Sequence, residues 1–527
     1  MNERVHENIR DILDYAEANE GKTDDSTRLL MLQVIKEYYA GNNYQRIWST
    51  DENFVPLADS LLNFIYKSME FGLFPDDYHN STLQSFSNRF AADTLTKEDR
   101  LDATLWSKAD LMLTDAFFLV CSHLHKGRLG VDSVYMNPDS TLTDSFYLKN
   151  LADVFAKQSL SEVLYSLEPA HKGYAELKKA LRLFLDSSNL KSSYTYVPYP
   201  YKDSIKFVQT LVKRLKEDGA ILWQAKAVDS ATLHNAIAKV QKKRNLKVDG
   251  KFGVQLIRSL NNTDAEKFKR IAINLDRYKV LPPQMPRRYI WVNLPAYTLQ
   301  LWEDDTVRIE SKVIVGTPKT RTPLLTSQIS NMVTYPQWTI PNSIILKEIL
   351  PALKRNPGYL AKKGYMLVKG DGELVDPYTV DWSKYKKGIP YNVVQGSGDA
   401  NALGILKFNF PNKYSVYLHD TNQRYLFKRD SRALSHGCVR VEKWEKLTYY
   451  ISALDSADFS EDLGRVPSDS IKTWLQRKEK HIIKVRSKVP VYFRYFTNAV
   501  KNGKIIFFED IYNEDKAARE AYFGNKQ

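Results

Sequence analysis

A chain of 527 residues exceeds what one hydrophobic core ordinarily supports and points to about three domains. With 43% hydrophobic and 26% charged residues and no long Pro/Gly/Ser tract, nearly all of it can fold by burial, which excludes an extended or disordered protein. The formal net charge of +14 favours an anionic partner, but the basic residues are interspersed with acidic ones rather than gathered in a stripe, which argues against nucleic acid and leaves a membrane surface or an acidic polymer. No run approaches the ~20 apolar residues of a membrane span, and Met1 is followed by Asn2, Glu3 and Arg4 rather than by a basic-then-apolar leader. Cys121 and Cys438 are the only cysteines, which excludes a disulfide framework.

In chain order, residues 1–225 read as one mostly helical region. Two helical stretches are expected between Asn43 and His79, around Trp48 and Leu61, closed by a turn at Gly72 and Pro75. From Leu101 to Leu124 the apolar residues Leu105, Ala109, Leu113, Ala116, Val120 and Leu124 recur at steps of three and four, the pattern of an amphipathic helix facing a core. Cys121 lies beside that stripe and reads as a buried small hydrophobe. His79, His123, His125 and His171 have no partner at metal-site spacing and read as surface or satisfied histidines.

Residues 229–283 form a compact helical segment: Ala231 to Lys242, a turn through Asp249-Gly250 and Gly253, then Val254 to Leu260 and Ala265 to Tyr278. Gln241, Asp249, Gly250, Gly253, Asn274, Leu275 and Arg277 resemble the pattern of the small peptidoglycan-binding helical domain. A three-helix spacer without a ligand accounts for the same turn glycines.

At Arg288 the period changes from helical to alternating. Tyr289, Trp291 and Asn293 alternate with Ile290, Val292 and Leu294, and the turn Glu303-Asp304-Asp305-Thr306 between two such runs reads as a hairpin. A helical stretch, Ser343 to Leu353, and a polar Lys/Tyr-rich insertion of about 356–392 interrupt this β region, and an insertion of that length beside a site reads as a lid. After a segment from Tyr449 to Leu463, strands return at Val489 to Phe496 and Lys504 to Asp510. The Asn502-Gly503 hairpin signal joins them, and this C-terminal part is expected to pack on the same β domain.

The chemistry concentrates in Val416-Tyr417-Leu418-His419-Asp420-Thr421 and Ser435-His436-Gly437-Cys438-Val439-Arg440. A thiol with its ordinary pKa of about 8.5 is mostly protonated at neutral pH, so a nucleophilic Cys needs an imidazole or a positive local field. His419 at the end of an alternating run supplies the first, and Arg440 the second. Gly437 permits close backbone approach, so the amides of Gly437 and Cys438 are candidate oxyanion donors. The competing readings fit less well. A core thiol is poorly placed between His-Gly and Val-Arg, a structural zinc site wants four ligands, and a redox pair wants a nearby resolving Cys.

These two segments closely resemble the signature of the L,D-transpeptidase family, the YkuD-type catalytic domain. The resemblance extends through Val315-Gly316-Thr317-Pro318 with Thr322-Pro323, Tyr335 to Pro341, and Asn401-Ala402-Leu403-Gly404 before Lys407-Phe408. It departs at Gln395 to Ala400, which lacks the Pro-Gly step common in relatives. The helical N-terminal half resembles the scaffold domain of large Gram-negative members. By position, the resemblance implies Cys438 as acyl-accepting nucleophile, His419 as its base, and Gly437 and Cys438 as oxyanion donors. Ser435, His436, Arg440, Thr421, Trp338 and Tyr417 would shape the site and hold substrate. Asp420 adjoins His419 but should face the opposite side of the strand, which leaves the group that orients the imidazole open; the resemblance implies that a main-chain carbonyl can serve instead.

The expected fold is α+β and multidomain: a mostly helical scaffold over 1–225, a three-helix peptidoglycan-binding-like domain over 229–283, and a mainly β catalytic domain over 287–515 that contains the lid. The resemblance implies a tetrapeptide stem donor carrying diaminopimelate, a Cys thioester, a 3→3 crosslink, inhibition by carbapenems and no metal or organic cofactor. Hydrolysis or amino-acid exchange on the same thioester, and a non-catalytic wall-binding scaffold, are the alternatives. An envelope location, most simply periplasmic, is expected, with a leader or membrane tether removed from the chain.

Overall fold

The computed structural model describes residues 2–50, 53–90, 102–129, 142–190, 194–458 and 466–524. Leu101 and residues 459–463 of the expected segments lie outside the described residues. Among the described residues no helix is long and apolar enough to cross a membrane.

The scaffold is built around the helix Ala103–His125, of whose 23 residues 17 are buried. It is therefore a central helix enclosed on all sides rather than one with a single apolar stripe. The sequence hides this because the remaining faces carry polar groups with buried partners. Asp110 accepts from the main-chain N–H groups of Ile47 and Trp48 and from the Tyr39 hydroxyl, and burial pushes its carboxyl up to about 6. Asp115 accepts from the Met31 amide and from His79 Nε2, each at 2.7 Å. These bonds fasten two loops to the helix. Trp48, expected in a helix, sits in one of those loops, with its indole donating to Thr114 Oγ1 at 2.9 Å. Cys121 is fully buried in the same core.

Helices Ser230–Lys243 and Val254–Asn261 form where expected, but the third member of their core is Ser204–Glu217, together with Val197. The helix Asp264–Lys279 leaves that unit. It buries Phe268, Ile271, Ile273 and Leu275 against Tyr174, Leu177 and Leu181 of the scaffold helix Lys172–Ser187. Its polar side turns to the C-terminal region, where Asn274 exchanges two hydrogen bonds with Thr497 and Arg277 pairs with Asp515 at 2.6 Å. Asn274 and Arg277 thus act as a joint between bodies, and Gln241 staples its own turn through Asp249, Gly250 and Lys251.

The β region begins with β1 (Arg288–Asn293), β2 (Thr298–Glu303), β3 (Thr306–Gly316), β4 (Leu325–Gln328) and β5 (Asn331–Thr334). The β2–β3 hairpin closes through Asp304 and Asp305 at φ of 48° and 54°, the left-handed pair that tight hairpins favour. Four strands of a separate insertion follow: β6 (Trp338–Thr339), β7 (Tyr365–Val368), β8 (Leu374–Val375) and β9 (Asn392–Gln395). Then come β10 (Leu406–Asn409), β11 (Leu418–His419), β12 (Ala433–Ser435), β13 (Val439–Val441), β14 (Ile482–Lys484) and β15 (Pro490–Arg494).

The main sheet runs β14-β5-β10-β11-β13-β3-β2-β1-β15-β4, with β12 added to β3. Only Ile329 and Ser330 separate β4 from β5, yet these strands stand near opposite ends of that order. The sheet must therefore curl until its ends meet, and Ile329 bonds to Val489 while Ser330 bonds to Asn409. The enclosed core holds Ile290, Val292, Phe408, Leu418, Val439, Val491 and Phe493, closed by Leu447 and Ile451 of the helix Trp444–Asp458.

The insertion expected as a lid is larger than its polar stretch. Strands β6 to β9 form a separate four-stranded sheet, and the helical segments between Asn342 and Lys363 pack on it around Ile345, Leu350, Leu360, Trp382 and Val393. At the C-terminus β16 (Asn498–Lys501) and β17 (Lys504–Phe507) pair across Asn502-Gly503 as expected. This hairpin packs elsewhere than expected: Val500, Ile505 and Phe507 cover the helices at 172–187 and 264–279 instead of the main sheet.

Candidate active site

Strands β11 and β13 are parallel neighbours, with Leu418 opposite Val439 and His419 opposite Arg440. Leu418 and Val439 point into the core and are fully buried. Alternation therefore sends Tyr417, His419, Cys438 and Arg440 to the other face, on the side of the insertion. Antiparallel β10 sets Lys407 opposite His419, so Lys407, His419 and Arg440 form a row across three strands. Cys438 lies beside Tyr417 in this register, one strand across and one pleat repeat along from His419, about 8 Å between Cα positions.

Cys438 is half-buried, and its Sγ lies 3.9 Å from the Ser415 carbonyl oxygen. Burial pushes the thiol up. Against this, the main-chain amide and hydroxyl of Tyr417 donate to the sulfur, and Lys407 and Arg440 add positive field. The Lys407 ammonium sits 3.8 Å from the Tyr417 ring centroid. His419 meets the same ring edge-on at 5.7 Å.

His419 is buried, and desolvation, Arg440 and Lys407 lower its pKa to about 3, while main-chain groups of Asp420 and Leu403 oppose the shift. Its Nδ1 is buried and has no partner. In the resting site the thiol and imidazole are thus both neutral, on one face, and not hydrogen-bonded to each other. Catalytic contacts of this kind often close only around substrate. Asp420 faces away, accepting from the Ile405 amide and from Arg424 at 2.9 Å. A Cβ at Gly404 would overlap its carboxylate, which accounts for the glycine at that point of the chain.

The turn carrying the thiol is held from below. Ser435 Oγ donates to the Cys438 carbonyl at 2.6 Å and accepts from the Gly437 amide at 3.1 Å. Gly437 has φ of +121°, a conformation open to glycine and strained for other residues. Its carbonyl accepts from Thr322 Oγ1 at 2.8 Å. The Gly437 amide, expected as an oxyanion donor, donates to Ser435 Oγ in this structure. The Cys438 amide has no hydrogen-bond partner among the described residues.

The insertion reaches this turn where His436 Nε2 meets Glu348 Oε1 at 2.5 Å, and beside the turn the Trp338 indole, whose Nε1 is buried without a hydrogen-bond partner, approaches the Tyr417 hydroxyl. Arg440 bonds to Thr421 Oγ1 at 3.3 Å and Gln423 Oε1 at 3.0 Å.

Residues 287–464 match the family model described as the YkuD L,D-transpeptidase catalytic domain, and residues 33–181 match a scaffold domain. This chain carries a YkuD-type L,D-transpeptidase domain. A Haemophilus influenzae protein curated as "Putative L,D-transpeptidase" is 39% identical over 248 residues, which are 47% of this chain and 48% of that protein. The chain thus spans about half the length of the curated relative it matches. Among solved structures, the catalytic domain of an E. faecium L,D-transpeptidase acylated by ertapenem aligns with 40% of this chain and 99% of its own, at 14% identity and a TM-score of 0.18. An L,D-transpeptidase from Mycobacterium smegmatis aligns over 40% and 58%, at 12% identity and a TM-score of 0.19.

Of the residues singled out in sequence, this L,D-transpeptidase domain brings Tyr417, His419, Cys438, Arg440, Thr421 and Trp338 to one face, with Ser435 and Gly437 beneath them and His436 on the lid side. Sequence reasoning missed Lys407, Glu348 and Thr322 as site neighbours. Lys407 carries one signal, a charged residue between the buried Leu406 and Phe408, and only the pairing register turns it toward His419.

Proposed function

We propose that the chain is a peptidoglycan L,D-transpeptidase that forms 3→3 crosslinks through a thioester on Cys438. The observation carrying this reading is the common face of Cys438 and His419, with Nδ1 of the buried imidazole left without a partner. Sγ attacks the carbonyl of the third stem residue, diaminopimelate, and its proton passes to His419 Nδ1. The tetrahedral oxyanion takes the Cys438 amide. His419 then gives the proton to the departing D-Ala amine, the C–N bond breaks and the acyl-enzyme remains. The side-chain amine of a second stem attacks the thioester, loses a proton to His419 and releases the crosslinked dimer with the thiol restored.

Tyr417 supports the thiolate through its hydroxyl, and the lid, held by Glu348 and Trp338, excludes water that would otherwise hydrolyse the thioester. Such a substrate puts the enzyme in the envelope, in the periplasm. The 204–261 unit is the part available to bind the wall, since Asn274 and Arg277 are occupied in the joint with the C-terminal region.

Intact-mass measurement with a carbapenem tests the thioester step. One drug equivalent is expected on the parent chain and none on Cys438→Ala, and an adduct on both or on neither rejects the assignment. Muropeptide products separate the acceptors: a dimer supports crosslinking, whereas tripeptide alone makes the enzyme a carboxypeptidase.

A further inference from the structure

The three side chains in the row across β10, β11 and β13 carry more positive charge than the attack on a peptide bond requires. Lys407 and Arg440 flank His419, and among the described residues neither cation has a carboxylate partner. Arg440 reaches only the neutral oxygens of Thr421 and Gln423, and its Nε is buried without a partner. Lys407 rests on the Tyr417 ring. The acids attached to this motif are committed elsewhere, Asp420 to Arg424 and Glu348 to His436. Two partly desolvated cations without a counter-ion are costly in the empty site, and an anion arriving with the ligand relieves that cost.

Resting on the transpeptidase reading above, we propose that Lys407 is a specificity-determining residue which, with Arg440, seats the free carboxylate of the leaving residue of the donor peptide. The ligand class is a peptide ending in a carboxylate one residue beyond the scissile carbonyl. The seat also couples binding to chemistry. Burial does most to hold the imidazole neutral, and like-charge repulsion from Arg440 and, more weakly, Lys407 adds to it, so a carboxylate that neutralises these cations makes His419 a stronger base at the moment the donor is in place. A donor without that charge leaves the base weak.

Binding to the full chain bearing Cys438→Ala tests this without turnover, using the tetrapeptide L-Ala–γ-D-Glu–diaminopimelate–D-Ala and its C-terminal carboxamide as probes. The carboxamide is expected to bind about tenfold more weakly, as the loss of one charge-assisted contact implies. Adding Lys407→Met should weaken the acid by about the same factor and bring acid and amide within about twofold. Lys407→Arg should keep the preference, which separates loss of charge from loss of folding. Equal affinity for acid and amide, no binding of either, or an acid-to-amide ratio unchanged by Lys407→Met overturns the proposal. Crosslinked product from the parent chain alongside equal acid and amide affinity would remove this inference and leave the transpeptidase reading standing.

Discussion

Replacing Tyr417 with Phe deletes one oxygen from the site and leaves its packing in place. The ring still sits under the Lys407 ammonium and edge-on to His419. What disappears is the O–H donor to the Cys438 sulfur, one of the groups opposing the upward push of burial on that thiol. A hydrogen bond to an ionised acceptor contributes about 1.5–3 kcal/mol, and about 1.4 kcal/mol corresponds to one pH unit. The Cys438 titration should therefore move up by roughly one to two pH units, because the lost donor favoured the thiolate. At neutral pH the rate of alkylation by iodoacetamide should fall about 10- to 100-fold, and it should recover at a pH above both titrations. Cys121 is buried in the scaffold core, so alkylation of the folded protein reports Cys438. A rate–pH curve superimposable on that of the parent chain refutes the reasoning. A loss that persists at high pH refutes it equally, since that outcome reports blocked access rather than a shifted titration.

Three further outcomes follow from the same geometry. His419, lowered to about 3 in the fold from an ordinary 6.5, takes up a proton on unfolding throughout that window, so its contribution makes stability fall as pH drops from 6.5 toward 3, by up to ~1.4 kcal/mol per pH unit. His419→Asn should flatten that slope in urea titrations between pH 7 and 5, and an unchanged slope rejects the buried neutral imidazole. Glu348→Gln breaks a half-exposed pair, so stability should change by less than about 1 kcal/mol while hydrogen exchange in 342–355 quickens; a fall in Tm of ten degrees or more is incompatible with this role. Asp515→Asn removes the carboxylate that Arg277 and Arg270 share at a buried joint and should cost about 3–5 kcal/mol in chemical denaturation, a loss under 1 kcal/mol being the contrary result.

The sequence was most legible where local pattern and final environment coincide. Leu418 and Val439 are apolar positions flanked by polar ones, and that alternation alone puts His419 and Cys438 on the face away from the core. The Asp304-Asp305 and Asn502-Gly503 turns were equally plain, because left-handed backbone leaves few residue choices. Non-local pairing was not legible. The surface that Val500, Ile505 and Phe507 cover, and the neighbour that Lys407 meets, depend on which strands and helices come together, and the same side-chain pattern suits either outcome. The helix at 103–125 misled for a related reason: Asp110, Thr114 and Asp115 look like a solvated face until the loop amides and hydroxyls that bind them are seen. The bond between the Gly437 amide and Ser435 Oγ was not legible either, because it turns on one rotamer of Ser435.

The thiol-bearing turn draws support from far beyond the residues that match the catalytic family. Arg277 in the joint helix pairs with Asp515, and five residues earlier Asp510 accepts from the Tyr495 hydroxyl at 2.7 Å. That same oxygen accepts the Tyr512 amide at 2.7 Å. The Tyr512 hydroxyl donates to the Gly316 carbonyl and accepts from the Thr322 amide, and Thr322 Oγ1 donates to the Gly437 carbonyl at 2.8 Å. These groups are withdrawn from solvent, so water is a poor substitute for any member of the series. The sheet makes the same demand: β15 fills the place between β1 and β4, and β14 covers β5. A match that ends at residue 464 marks where family resemblance stops. The physical unit that fixes Cys438 continues through Tyr512 and Asp515, and the helix at 264–279 belongs to it as much as to the scaffold on which it lies.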